Sequence, residues 1–273
     1  AGSGEPERKG FTMVSDVQTY DLYVHESEPV ILLDWYGFRE DLVTDIDSLI
    51  SWAEMTNRLD YSIIVDATQS RGGSRGAYAI QHLTHKPFKT TFGNVRISDV
   101  IPMFVEQRRK EYDAKQVLDS GAAETVDDGS WQIDWLEHDV MDSVRAGAHY
   151  SNDVPFKLAH LPKDSDGILN PAERHFTGEL VVLLGPKGGS HLDQFASIVS
   201  DDKLGTIIGM PGGGYSNTWE WEEVLTFPGR TRGLATFMWS IGHTIRPNGE
   251  VLEGNPADID EYVPLTASNF LTW

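Results

Sequence analysis

The chemistry of this chain is concentrated in Glu179–Asn217, which reads ELVVLLGPKGGSHLDQFASIVSDDKLGTIIGMPGGGYSN. Leu180–Leu184 is a short apolar run of the kind buried on both faces of a sheet. The turn Gly185–Gly189 follows, and Leu192–Val199 has helical spacing. Ser190 stands where the turn gives way to the helix. Such a turn lifts a hydroxyl out of the sheet edge, and the helix start offers unpaired N–H groups and positive potential to an oxyanion. The chemistry this suits is acyl transfer to Ser190. Read by itself, the local pattern fits a helix N-cap at Ser190 better than a nucleophile.

A second segment, Asp66–Gly73 (DATQSRGG), ends another apolar run, Tyr61–Ala67. The pair Gly72 and Gly73 can take backbone conformations closed to other residues and turn N–H groups toward a reacting carbonyl. A tight strand-to-helix turn is the alternative. A general base is needed beside any nucleophilic serine. Of nine histidines, His25, His82, His85 and His243 flank the two segments and His191 follows Ser190 directly. Neighbours at a helix start point in different directions, so the expected role of His191 is to lend its backbone N–H to the oxyanion. The base stays unassigned.

The elements that must hold these residues read as α/β. Thr19–His25 alternates Tyr20, Leu22 and Val24 with polar neighbours, and Val30–Trp35 is a strand candidate after Pro29. Asp41–Met55 has helical spacing, Tyr61–Ala67 is a strand, and Gly76–Leu83 is helix-like. The same order returns after residue 178, with Thr206–Gly209 as a further strand. Alternating strands and helices predict a mostly parallel sheet. Residues 86–178 are polar, without a clear sheet period, and include helical stretches at Val100–Leu118 and Trp131–Val144. They are expected to form an insertion over the active face. The expected organisation is 1–28 as a linker with a strand left from a PDZ-like domain, 29–85 and 179–273 as two core halves, and 86–178 between.

In their order, the segments resemble the tail-specific (C-terminal-processing) serine proteases. That family's core runs strand, D-x-R-x-N-x-G-G, spacer, strand, S-x-x-E-x-[FILV]-A, then a V-[IV]-G strand. DATQSRGG matches at Asp66, Gly72 and Gly73, with Thr68 and Ser70 in place of Arg and Asn. SHLDQFA matches with Ser190 as nucleophile and Asp193 for Glu, and Thr206–Gly209 is the strand that follows. Pro29–Phe38 resembles the entry strand and Asn248–Pro256 (NGEVLEGNP) the closing segment, so the likeness spans 29–85 and 179–264. It implies a layered crotonase-like (ClpP-like) β/α core with a partly helical insertion. It also implies hydrolysis of peptides through Ser190, with Gly72, Gly73 and the His191 N–H at the oxyanion and no cofactor or metal.

The departure is the base. Family members that use a Ser-Lys dyad carry Lys where this chain has Tyr215, and a neutral phenol with an ordinary pKa of about 10 is a poor base. The DATQ start resembles instead the Ser-His-Glu branch, which includes the tricorn core protease and the chlamydial protease-like factor. In that branch the Glu lies near the closing turn, which makes Glu250 and Glu253 the candidates. The His lies N-terminal to the matched region. An inactive relative that binds peptides is the competing reading, motivated by the missing Lys. A crotonase-type acyl-CoA enzyme is disfavoured by the acidic charge and the lack of a basic phosphate site.

Composition narrows the partners. Forty-two acidic residues against 22 basic ones give a formal net charge of -20, which repels nucleic acid and anionic membranes. No apolar run approaches the roughly 20 residues of a membrane span. The absence of cysteine excludes disulfides and thiolate catalysis and fits an exported protein, so a periplasmic or secreted location is expected. Ala1–Glu7 has neither the basic start nor the apolar core of a signal peptide. The expected partner is a peptide or unstructured protein, with a homo-oligomer allowed. Two weaker signals remain. Pro162–Glu173 (PKDSDGILNPAE) mimics a calcium loop at Asp164, Asp166, Gly167 and Glu173, but Pro162 stands where the first ligand belongs, and an acidic turn is the better reading. The cluster Trp219–Glu223 fits either a substrate groove or an edge strand.

Overall fold

The computed structural model describes residues 8–39, 41–118, 130–155, 166–216, 219–227, 229 and 233–266. Residues 1–7 and the start of the calcium-like stretch (162–165) lie outside them. The chain divides into two compact units, one built from 1–91, 167–216 and 246–273, the other from 92–166 and 217–245.

The first unit is organised by a seven-stranded sheet whose strands lie side by side in chain order. They are β1 (Phe11–Asp16), β2 (Tyr20–His25), β3 (Val30–Trp35), β4 (Ser62–Ala67), β5 (Leu180–Leu184), β6 (Thr206–Gly209) and β7 (Glu261–Tyr262). From β3 to β7 all pairs are parallel, while β1 and β2 add antiparallel strands at one edge. The fold class is thus α/β with a mixed, mostly parallel sheet. Alternation explains the buried face: Ile31, Leu33, Ile63, Val65, Leu180, Val182 and Leu184 are all sealed from solvent. The helices are α1 (Leu42–Met55), α2 (Gly76–Leu83) and α3 (His191–Asp201), and α2 packs against both of the others. Parallel strands need crossovers of this kind. They also bring the loops after β3, β4, β5 and β6 to one end of the sheet, where sites in such folds collect.

One strand was legible in 11–28, and the structure has two. In β1 only Phe11 and Ser15 are even half-buried, so burial imposes no apolar alternation on it. The second unit holds the long helix Ile101–Leu118, a helical run over 130–145 with a π-helical centre at Leu136–Val140, and two small antiparallel sheets. Phe104, Trp135, Leu136, Val140 and Trp219 form its core, with the Trp135 and Trp219 rings 5.1 Å apart. Its three-stranded sheet pairs Phe92–Val95 with Gly242–Ile245 and Val154–Pro155. Strands of two to four residues are too short to show a period in sequence. The cluster Trp219–Glu223 leads into a hairpin of Glu220–Thr226 and Gly233–Ser240.

Candidate active site

Ser190 sits between β5 and α3 with φ 57° and ψ -129°. That conformation is sparsely allowed for any residue with a Cβ and costs of order 1–3 kcal/mol. A serine strained on a strand-to-helix turn is the device by which nucleophile elbows expose a hydroxyl. The N-cap alternative fails, because the Ser190 side chain makes no capping hydrogen bond. Its Oγ instead donates to the Ser216 carbonyl at a long 3.4 Å.

The two glycines of DATQSRGG come to this serine. A Cβ on Gly72 would fall 2.5 Å from Ser190 Cβ and 3.0 Å from its Oγ, so only glycine lets that backbone pass beneath the hydroxyl. Gly73, at φ +147°, lies where a Cβ would meet the Phe38 carbonyl oxygen at 1.8 Å. Asp66 shapes the preceding turn by accepting from the Thr68 N–H and hydroxyl at 3.2 and 2.7 Å, and its other oxygen pairs with Arg8 at 3.0 Å. The segments joined by sequence likeness are therefore joined in space at Ser190, Gly72 and Gly73.

His191 is buried beneath the site. Its Nε2 accepts the Gly76 N–H at 2.7 Å, which places its proton on Nδ1, an atom with no hydrogen-bond partner among the described residues. Burial lowers its pKa to about 3, because a charged imidazole there would lose its hydration. His191 is a neutral tie between the starts of α2 and α3. Its ring sits edge-on to Phe38 at 5.2 Å, above a cluster of Trp35, Phe38 and Phe195.

Sequence reasoning missed how α3 grips the loop Met210–Ser216. The Ser190 N–H donates to the Tyr215 carbonyl at 2.7 Å. Asp193 accepts the Tyr215 N–H at 3.0 Å, and Gln194 donates to Ser216 Oγ at 2.6 Å while accepting from Thr91 at 2.8 Å. Burial pushes the Asp193 carboxyl above its ordinary range, opposed by hydrogen bonds from the Tyr215 and Gly214 N–H groups. The signal was available: positions 190, 193 and 194 recur at the i, i+3, i+4 spacing of one helix face. Tyr215 lies with its ring against Gly189, where a Cβ would come within 2.3 Å of the phenol oxygen.

The closing turn is fixed from below by Arg246, which is 1% exposed and was also missed. Its guanidinium pairs with Asp201 at the end of α3 and donates to the Asn255 and Pro256 carbonyls at 3.3 and 3.0 Å. A buried guanidinium with every side engaged is well suited to hold irregular backbone. Of the two candidate carboxylates, Glu250 is exposed and accepts from Asn255 at 2.7 Å within the turn. Glu253 is half-buried and precedes Gly254, whose N–H donates to the Gly214 carbonyl at 2.7 Å. Lys187 is held by Gln69 at 2.9 Å. Among the described residues no imidazole, lysine or carboxylate is hydrogen-bonded to Ser190 Oγ. No group of three or more His, Asp or Glu side chains among them could hold a metal ion, and no helix is long and apolar enough to cross a membrane.

No family model matches the chain, and no curated protein matches it in sequence. Solved structures do. The chain is similar to mature CPAF at 16% identity and a TM-score of 0.59, over 95% of this chain and 50% of that one. The same protein complexed with lactacystin gives the same values. A putative peptidase from Parabacteroides merdae matches at 11% identity and a TM-score of 0.56, over 97% of this chain and 62% of that one. The chain therefore spans about half the length of mature CPAF, and at these identities what it shares with these proteins is the fold.

Proposed function

We propose that the chain is a serine peptidase of the tail-specific type that hydrolyses peptide bonds by acyl transfer to Ser190. The observation that carries this reading is the strained, uncapped Ser190 lying against Gly72. In the proposed reaction Ser190 Oγ attacks the peptide carbonyl. The His191 N–H, the first of α3, and a Gly72 or Gly73 N–H take the developing oxyanion, each donor contributing a few kcal/mol. Expulsion of the amine and attack by water complete the cycle.

The base is a histidine other than His191, whose Nε2 is already engaged by Gly76. The Ser-His-Glu arrangement is preferred to a Ser-Lys dyad because Tyr215 occupies the Lys position and Lys187 is tied to Gln69. Glu253 is preferred over Glu250 as the carboxylate, since its turn is bonded to the Gly214–Ser216 loop.

A fluorophosphonate probe tests the nucleophile. It should label the chain, and Ser190→Ala should lose the label and peptide hydrolysis with thermal stability nearly unchanged. An inert Ser190 in a folded chain would instead favour a peptide-binding relative without catalysis.

A further inference from the structure

The hairpin Glu220–Ser240 keeps large apolar side chains in solvent. Every residue of its second strand is exposed, with Leu234 at 56%, Phe237 at 54% and Met238 at 58%. Folded proteins rarely leave such a run uncovered without a partner for it. Among the described residues each strand pairs only with the other, so the ribbon's outer edges carry unspent backbone donors and acceptors.

Beside the ribbon lies a groove of about 430 Å³. Phe104, Val224 and Met238 give it apolar surface, and Glu111, Glu220 and Glu222 give it carboxylates. Arg108 also lines it, but its charge is met by Glu111 at 2.8 Å and its guanidinium stacks on Phe104. Glu220 and Glu222 make no ion pair among the described residues. The groove is apolar in its floor and net acidic at its rim.

We propose that this hairpin docks an extended peptide segment in which apolar and basic side chains alternate, taken up as a further strand. An edge strand supplies main-chain hydrogen bonds to such a guest, and pockets for every second side chain supply selectivity. Glu220, Glu222, Val224 and Met238 share the groove face of the ribbon and take the basic set, alkyl stems on the apolar floor and ammonium groups on the carboxylates, while Leu225, Phe237 and Trp239 on the opposite face take the apolar set. A second copy of the chain is disfavoured, since it would set Glu220, Glu222 and Glu223 against their own kind in a molecule of net charge -20.

The surface is independent of the chemistry at Ser190, so binding is measured on the full chain carrying Ser190→Ala. Fluorescein-labelled decapeptides alternating Val with Lys, or Val with Glu, are titrated and followed by anisotropy. The Lys peptide should bind at least tenfold more tightly than the Glu peptide. Glu220→Lys with Glu222→Lys should reverse that preference, and Phe237→Asp should weaken the Lys peptide at least tenfold. Equal affinities, no binding, or a preference untouched by the charge reversal would overturn the proposal. So would a concentration-dependent dimer in sedimentation that Phe237→Asp abolishes, because the ribbon would then be covered by a second copy.

Discussion

The turn carrying Ser190 and the hairpin Glu220–Ser240 are held in opposite ways. At the turn, backbone groups are spent on neighbours far along the chain: Ser190 N–H on Tyr215, Gly213 N–H on Gly188, Gly254 N–H on Gly214. The glycines there are pressed to contact, and the carboxylate of Asp193 and the amide of Gln194 pin the loop from within α3. The hairpin is held by its own ladder, and its second strand shows every side chain to solvent. One region has its geometry over-determined, which lets a strained residue persist. The other leaves surface and backbone edges available. Chemistry needs the first arrangement and docking the second.

The sharpest way to break this contrast is to disturb the packed region by one methyl group. Gly72→Ala would place a Cβ 2.5 Å from Ser190 Cβ, forcing either the serine or the glycine segment to move. Loss of one oxyanion donor costs about 10²–10³ in rate, and overpacking costs about 1–3 kcal/mol in stability. Peptide hydrolysis by Gly72→Ala should therefore fall at least a hundredfold. A near-normal rate would mean that the Gly72 segment does not face the reacting carbonyl.

Paired truncations compare the two regions by stability alone. Phe195 is fully buried beneath the site, touching Trp35 and Phe38, whereas Phe237 is 54% exposed on the hairpin. Phe195→Ala should cost about 3–5 kcal/mol, and Phe237→Ala should stay within about 0.5 kcal/mol. Denaturant unfolding of both variants checks this. A cost for Phe237 approaching that of Phe195 would show that the hairpin is packed against something in solution.

What the sequence disclosed and what it withheld divide along the same physical line. Periodicity and glycine placement are local, and they located α1, α2, β3 to β6, Ser190 and the Gly72-Gly73 pair. Whether Ser190 caps its helix was not a local question, since it depends on Ser190 φ and on where Oγ points. The Asp193 and Gln194 grip joins positions about 22 residues apart, and the Arg246–Asp201 pair joins positions 45 apart. Nothing in a run of neighbours announces such pairings. Hairpin exposure was equally hidden: Leu234, Phe237, Met238 and Trp239 have the composition of a core strand, and only their exposure distinguishes them.

A further effect concerns the protons of His191. Its pKa is lowered to about 3 by burial, against about 6.5 in an unfolded chain. Between those values the unfolded state binds a proton that the folded state refuses, so stability rises with pH across that window. This contribution is complete above about pH 6.5 and is lost on acidification, at up to about 1.4 kcal/mol per pH unit. His191→Gln keeps an acceptor for the Gly76 N–H without a titrating group. The stability of the parent relative to this variant should fall as pH goes from 7 to 4, measured by denaturant unfolding at each pH. A constant difference would show that the imidazole is not held neutral. The same variant sharpens the assignment of the base, because a group with a pKa near 3 cannot shape the rate between pH 5 and 9. If a histidine activates Ser190, kcat/KM rises through an apparent pKa of about 6–7, and that limb must survive His191→Gln unchanged. A limb that moves with the variant would make His191 the base. A rate still climbing above about pH 9 would instead point to a lysine, with Lys187 and Lys203 the first to replace.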